Sequence, residues 1–234
     1  MWRWVRVALA AAAAILLLLA LWTPEPRHGP PTVGRAVETD GAGTGRPLVR
    51  SHEAPDLLVD RQNSRLIYLS GVDLATGACT LSVSLDGGVT WRAENTPHLQ
   101  PYSSNCGLGT VHPRNVRTEL DQGPDGTLYY VFQGNDPDAG GTRSVLLGRS
   151  DDRGRTWSTV VVDPGPKATS PEQAQLNFQG HVAIDPDDPR LVYVMWRRSV
   201  PVVDPTIPST LNRPYLAVSR DGGATFGPPT LLLD

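Results

Sequence analysis

The chain has 234 residues, including 23 glycines and 22 prolines, and a formal net charge of −3. Such glycine and proline content suits many tight turns and argues against a helical bundle. A slightly acidic chain whose one lysine is Lys167 gives no electrostatic reason to expect a nucleic-acid partner.

At the N-terminus Arg3 and Arg6 precede an uncharged apolar run from Val7 to Trp22, the pattern of an export signal. Ala20-Leu21-Trp22 ends in a bulky residue, which argues against cleavage there. Trp2, Trp4 and Trp22 suit membrane interfaces, although the run is short of the ~20 residues that span a bilayer. Residues 1–22 are expected to be a signal peptide or an uncleaved anchor, with the remainder exported: held on the membrane facing outside the cytoplasm, or secreted. Residues 23–50, rich in Pro, Gly and Thr, read as a flexible linker. Residues 51–234 are expected to fold.

In that region short apolar segments recur in a fixed order. The first group is DLLVD (56–60), the turn RQNS, RLIYLSG (65–71) and TLSVS ending at Ser84. The second is VRTELD (116–121), the turn QGPDG, TLYYVFQ (127–133) and SVLLGRS ending at Ser150. The third is HVAID (181–185), the turn PDDP, RLVYVMW (190–196) and YLAVS ending at Ser219. β-Branched and aromatic content marks these segments as strands, and the Asn, Asp, Gly and Pro clusters between them mark turns. RAENTPHL, STVVVDPG and GPPTLLLD then close the groups, the last two as short strands. Four antiparallel strands per repeat describe a propeller blade.

Between the third and fourth strands stands S-x-D-x-G-x-T-(W/F), three times: Ser84, Asp86, Gly88, Thr90, Trp91; Ser150, Asp152, Gly154, Thr156, Trp157; and Ser219, Asp221, Gly223, Thr225, Phe226. The Asp side chain can accept hydrogen bonds from amides a few residues ahead, the Gly can take a positive φ, and the Thr is expected to begin the outer strand. The aromatic residue is expected to pack between neighbouring blades. Metal binding is the rival reading, but one or two carboxylates per copy fall short of the six or more oxygens of a calcium loop. NDPDAGG (135–141) and DPDDP (185–189) are also read as acidic turns, and neither a metal nor a cofactor is expected. Cys79 and Cys106 flank the first copy and, in an exported chain, are expected to form a disulfide; a reactive thiol or a metal pair is the alternative.

The repeated motif resembles the Asp-box, or bacterial neuraminidase repeat, of the sialidase-like β-propellers. The resemblance runs from about Pro55 to Asp234. It implies an all-β fold of four-stranded antiparallel blades, three of them present, as part of a six-bladed propeller. It also implies that the boxes lie away from any active site, and it extends to non-sialidase propellers: xyloglucan-type glycosidases, sortilin-like receptors and photosystem-assembly factors. Closed propellers have about four to eight blades. The reading adopted is therefore the first half of a six-bladed protein, with self-association of two copies as the alternative.

Ligands of propellers bind at the mouth of the central channel, near the start of the innermost strands. Aligning those strands on Asp60, Asp121 and Asp185 places Asp56, Arg117 and His181 at one position, four residues upstream. Alternation along a strand should point them in one direction. These are the catalytic candidates; Arg114 and Glu119, beside them, are binding candidates, and Glu53 is also near. Glycoside cleavage needs a proton donor and a group that stabilises the developing cation, and arginines suit a substrate carboxylate. The R-I-P motif of true sialidases is missing: HPRNVR (112–117) and NRPY (212–215) do not match it. No tyrosine–glutamate pair can be assigned, so no catalytic residue is carried over from that family.

The function expected is a sialidase-like exported glycoside hydrolase acting on terminal sugars of glycoconjugates. The alternative is a non-catalytic propeller binding glycan or protein at the cell surface. A third reading, an assembly factor of the same fold, has no direct support in the sequence.

Overall fold

A computed structural model describes residues 37–38, 46–47, 52–73, 77–102, 118–135, 143–167, 176–200 and 211–233. The apolar N-terminal run, Cys106, Arg114, Arg117 and most of the NDPDAGG segment lie outside them. Within the expected linker, β1 (Val37–Glu38) pairs antiparallel with β2 (Arg46–Pro47), so that region includes a short hairpin.

The rest is three blades. The first is β3 (His52–Val59), β4 (Ile67–Asp73), β5 (Cys79–Ser84) and β6 (Arg92–Glu94). The second is β7 (Glu119–Gln122), β8 (Leu128–Asn135), β9 (Arg143–Ser150) and β10 (Ser158–Asp163). The third is β11 (Leu176–Ile184), β12 (Val192–Val200), β13 (Leu211–Ser219) and β14 (Thr230–Leu231). Each blade is antiparallel in sequence order, and a single parallel bridge, Leu176 to Arg143, joins the second and third. The innermost strands β3, β7 and β11 lie side by side. The fold is a partial β-propeller. Its outer strands are shorter than the sequence suggests, down to two residues in β14.

Alternation along each strand sends side chains to the two faces of its blade, so the core lies in the seams between blades. Tyr68, Leu81 and Val83 of the first blade pack with Leu120, Tyr130 and Phe132 of the second. Tyr129, Val131 and Leu147 of the second pack with Val182, Val194 and Trp196 of the third. Fully burying such side chains stabilises by about 1.5–3 kcal/mol each.

The three repeated turns are built alike. Ser84 Oγ donates to Asp86 Oδ1 at 2.8 Å and accepts the Gly88 amide at 2.8 Å. Asp86 Oδ1 also accepts the amides of Val89 and Thr90, and Oδ2 accepts the Thr90 hydroxyl at 2.5 Å. Asp152 with Thr156, and Asp221 with Thr225, repeat this geometry. Thr90 thus belongs to the turn rather than to the strand, which begins at Arg92. The hydrogen bonds from the threonine, joined by those from the serine and neighbouring amides, pull all three carboxyls down to about 2. Positive φ values of 90°, 86° and 84° at Gly88, Gly154 and Gly223 are the reason for glycine there.

The aromatic residues divide. Trp157 packs into the first seam, and its Nε1 donates to Gly154 O and, across the seam, to Asn95 O at 2.9 Å. Phe226 packs into the second seam. Trp91 donates to Gly88 O but faces no earlier blade among the described residues, so it does not join two blades as expected. Cys79 is disulfide-bonded.

Candidate functional site on the innermost strands

The hydrogen-bond registers fix which residues are equivalent between blades. In the first turn of each blade, the Asp60 amide donates to Leu66 O, the Asp185 amide to Leu191 O and the Gly123 amide to Thr127 O. The repeated serines give the same answer, because Ser84, Ser150 and Ser219 pair with Ile67, Leu128 and Val192. Gly123, and not Asp121, therefore corresponds to Asp60 and Asp185. Four residues upstream stand Asp56, Glu119 and His181. This corrects the alignment expected from sequence: the middle member of the set is Glu119, and Arg117 is two residues away, outside the described residues along with Arg114. The displacement arises because the middle turn closes over fewer residues than the other two.

These three ionisable groups form one rung across adjacent strands. Glu119 Oε2 meets His181 Nδ1 in direct contact across the second seam, with both side chains reaching solvent. Asp56 Oδ2 accepts the Leu120 amide at 2.7 Å across the first seam. Burial pushes the Glu119 carboxyl up; His181 opposes that push, and the negative charge of Asp56 adds to it. In both outer members a bulge precedes the rung residue, between Glu53 and Asp56 and between Phe178 and His181, and Gln179 takes a φ of 52° in the second bulge. Bulges re-aim the side chain that follows them.

Farther along the blades than the rung, toward the end opposite the repeated turns, lies a polar network that sequence reasoning missed. Arg198 Nη2 donates to Asp163 Oδ2, and Asn177 Nδ2 donates to the same oxygen at 3.1 Å and to Arg143 O at 2.8 Å. Asn177 Oδ1 accepts both Trp196 Nε1 and Arg198 Nε at 3.1 Å. The Arg198 guanidinium lies 4.3 Å over the Tyr215 ring, which stacks on Trp196. Asp163 and Asn177 are buried. Nothing in the sequence marks these residues as a set, because they come from five different strands, β9 to β13. Nearby on the second seam, neither amide atom of buried Gln133 has a hydrogen-bond partner among the described residues.

The acidic turn at 185–189 spends its carboxylates locally: Asp185 Oδ1 accepts the Asp187 and Asp188 amides, and Asp188 holds Arg190 through two bonds of 2.9 Å.

No protein-family model matches the chain, and no curated protein does. Solved structures do. A Penicillium chrysogenum α-L-arabinanase complexed with arabinobiose superposes with a TM-score of 0.55 at 15% identity, covering 80% of this chain and 51% of that one. The GH93 α-L-arabinofuranosidase of Fusarium graminearum with arabinobiose gives 0.54 at 13% identity, covering 78% and 49%. A Dyadobacter fermentans protein of unknown function gives 0.53 at 21% identity, covering 76% and 50%. The likeness is one of fold, and the chain spans about half the length of these structures.

Proposed function

We propose that the chain is a glycoside hydrolase, exported, that acts on terminal sugars at a site on its innermost strands. The observation that carries this reading is the rung of Asp56, Glu119 and His181. A carboxyl held above its ordinary range serves as a general acid, protonating the leaving oxygen of a glycoside. Glu119 is the group in that state, and the neighbouring Asp56 supplies a carboxylate to face the developing oxocarbenium charge. His181 positions Glu119 and can return its proton.

Two sugar classes have support of different kinds. The three repeated turns resemble Asp-boxes and favour a sialoside, whose carboxylate would need arginines. Two of the fold neighbours, the α-L-arabinanase and the α-L-arabinofuranosidase, are complexed with arabinobiose, a neutral sugar that needs none. The described part of the rung holds no arginine, so a neutral furanoside is the better-supported substrate and a sialoside the finer alternative. Hydrolysis of fluorogenic α-L-arabinofuranosides and α-sialosides by the purified chain tests this directly. Turnover of either, lost in Asp56→Asn and lowered in Glu119→Gln to a degree set by the leaving group, is expected; inactivity on both, with glycan binding retained, would overturn catalysis. That outcome is the second reading, a propeller that binds sugar without cleaving it. It is favoured by one observation: the Glu119–His181 contact already occupies the carboxyl.

A further inference from the structure

Equivalent positions in the three blades differ in exposure in a directional way. Toward the preceding blade, Leu120 and Val182 are each 5% exposed, whereas their equivalent Leu57 is 58% exposed; Gln122 and Ile184 are buried, whereas Val59 is 43% exposed. Toward the following blade the pattern reverses. Ser70 and Val131 are buried at 1% or less, and their equivalent Met195 is 39% exposed. Glycine contacts say the same. A Cβ on Gly154 would meet Leu81 of the first blade, and one on Gly223 would meet Leu147 of the second. Leu216, the equivalent of Leu81 and Leu147, has no glycine of a following blade in the described chain, and Gly88 meets only its own blade.

The first blade thus presents one half of a seam and the third presents the other half, with the residue classes that the two internal seams bury. We propose that these two faces dock on each other head to tail between two copies of the chain. Two copies joined in this way supply six blades related by a twofold axis, a number within the four to eight that propellers use. An exposed apolar sheet face is otherwise an aggregation hazard. The pairing has a consequence at the channel. Asp56 reaches the inner strand of the next blade, and Glu119 meets His181 there. His181, their equivalent on the third blade, then faces β3 of the second copy, and the ring carries the rung twice. The proposal does not depend on catalysis.

Analytical ultracentrifugation of the full chain in mild detergent, with the detergent contrast-matched, reads the assembly. The expected mass is two chains. Leu57→Asp and Met195→Asp, on opposite faces, should each reduce it to one chain with the β-sheet circular dichroism unchanged. If either variant unfolds, cross-linking through the cysteine pair Pro55→Cys and Met195→Cys replaces it, because the equivalent residues meet in both internal seams, Ser70 with Thr118 and Val131 with Gly180; a covalent dimer formed only by the double variant is expected. A wild-type monomer would overturn the proposal. A dimer indifferent to both faces, or open-ended oligomers, would also overturn it.

Discussion

Gly154→Ala measures whether the seams are packed as tightly as the structure has them. At φ +86° an alanine is in the left-handed region, which costs about 1–2 kcal/mol. Its Cβ would also stand 2.7 Å from Leu81 Cδ2, on the neighbouring blade, and relieving such overpacking typically costs another ~1–3 kcal/mol. The expected loss is about 2–5 kcal/mol. Gly87→Ala is the control, since Gly87 has a φ of +79° with nothing within 4 Å of a Cβ; it should lose only the conformational part, about 1–2 kcal/mol. Urea unfolding followed by tryptophan fluorescence gives both values at constant slope. If Gly154→Ala lost no more than Gly87→Ala, Leu81 would not be packed against the second blade's turn, and the seam account would be wrong.

Asp86, Asp152 and Asp221 have folded values near 2 against an ordinary 3.8. Their contribution is therefore complete above about pH 4 and is lost as pH falls through about 2, and an acid titration of the unfolding midpoint should steepen there, less so in Asp152→Asn. Glu119 has the opposite sign. Its raised value makes the chain lose stability as pH climbs through the range just above ordinary carboxyls, and Glu119→Gln should flatten that slope in a pH series of melting temperatures. Asp163→Ala strands the Arg198 charge in the second seam and should lose about 3–5 kcal/mol by denaturant unfolding, much of it recovered in Asp163→Ala with Arg198→Met. Gln133→Met removes a buried amide that has no partner among the described residues and should gain about 1–3 kcal/mol; a loss would show that the amide is satisfied in solution.

The blades were legible because the turn S-x-D-x-G-x-T has a local cause. Its serine bonds the aspartate two residues on and the glycine amide four on, and the aspartate bonds the threonine four on, so the pattern is written contiguously in the chain. The rung was legible only in part. Asp56 and His181 follow from matching Asp60 with Asp185, but the middle blade closes its turn through Gly123, and anchoring on Asp121 selected Arg117 in place of Glu119. The glycines flanking Pro124-Asp125 were the signal that this turn is tighter. The Asp163–Arg198–Asn177 network was not legible, because it is assembled by strand ends far apart in sequence whose meeting depends on how the blades stack.

The measurement that bears most directly on the rung as a catalytic centre is a leaving-group comparison in Glu119→Gln. If Glu119 is the proton donor, hydrolysis of glycosides with a poor, basic leaving group should fall by about 100-fold or more. Dinitrophenyl glycosides, which need no protonation to depart, should be largely spared. Equal loss on both substrates, or no loss on either, would contradict the assignment of Glu119 as the acid.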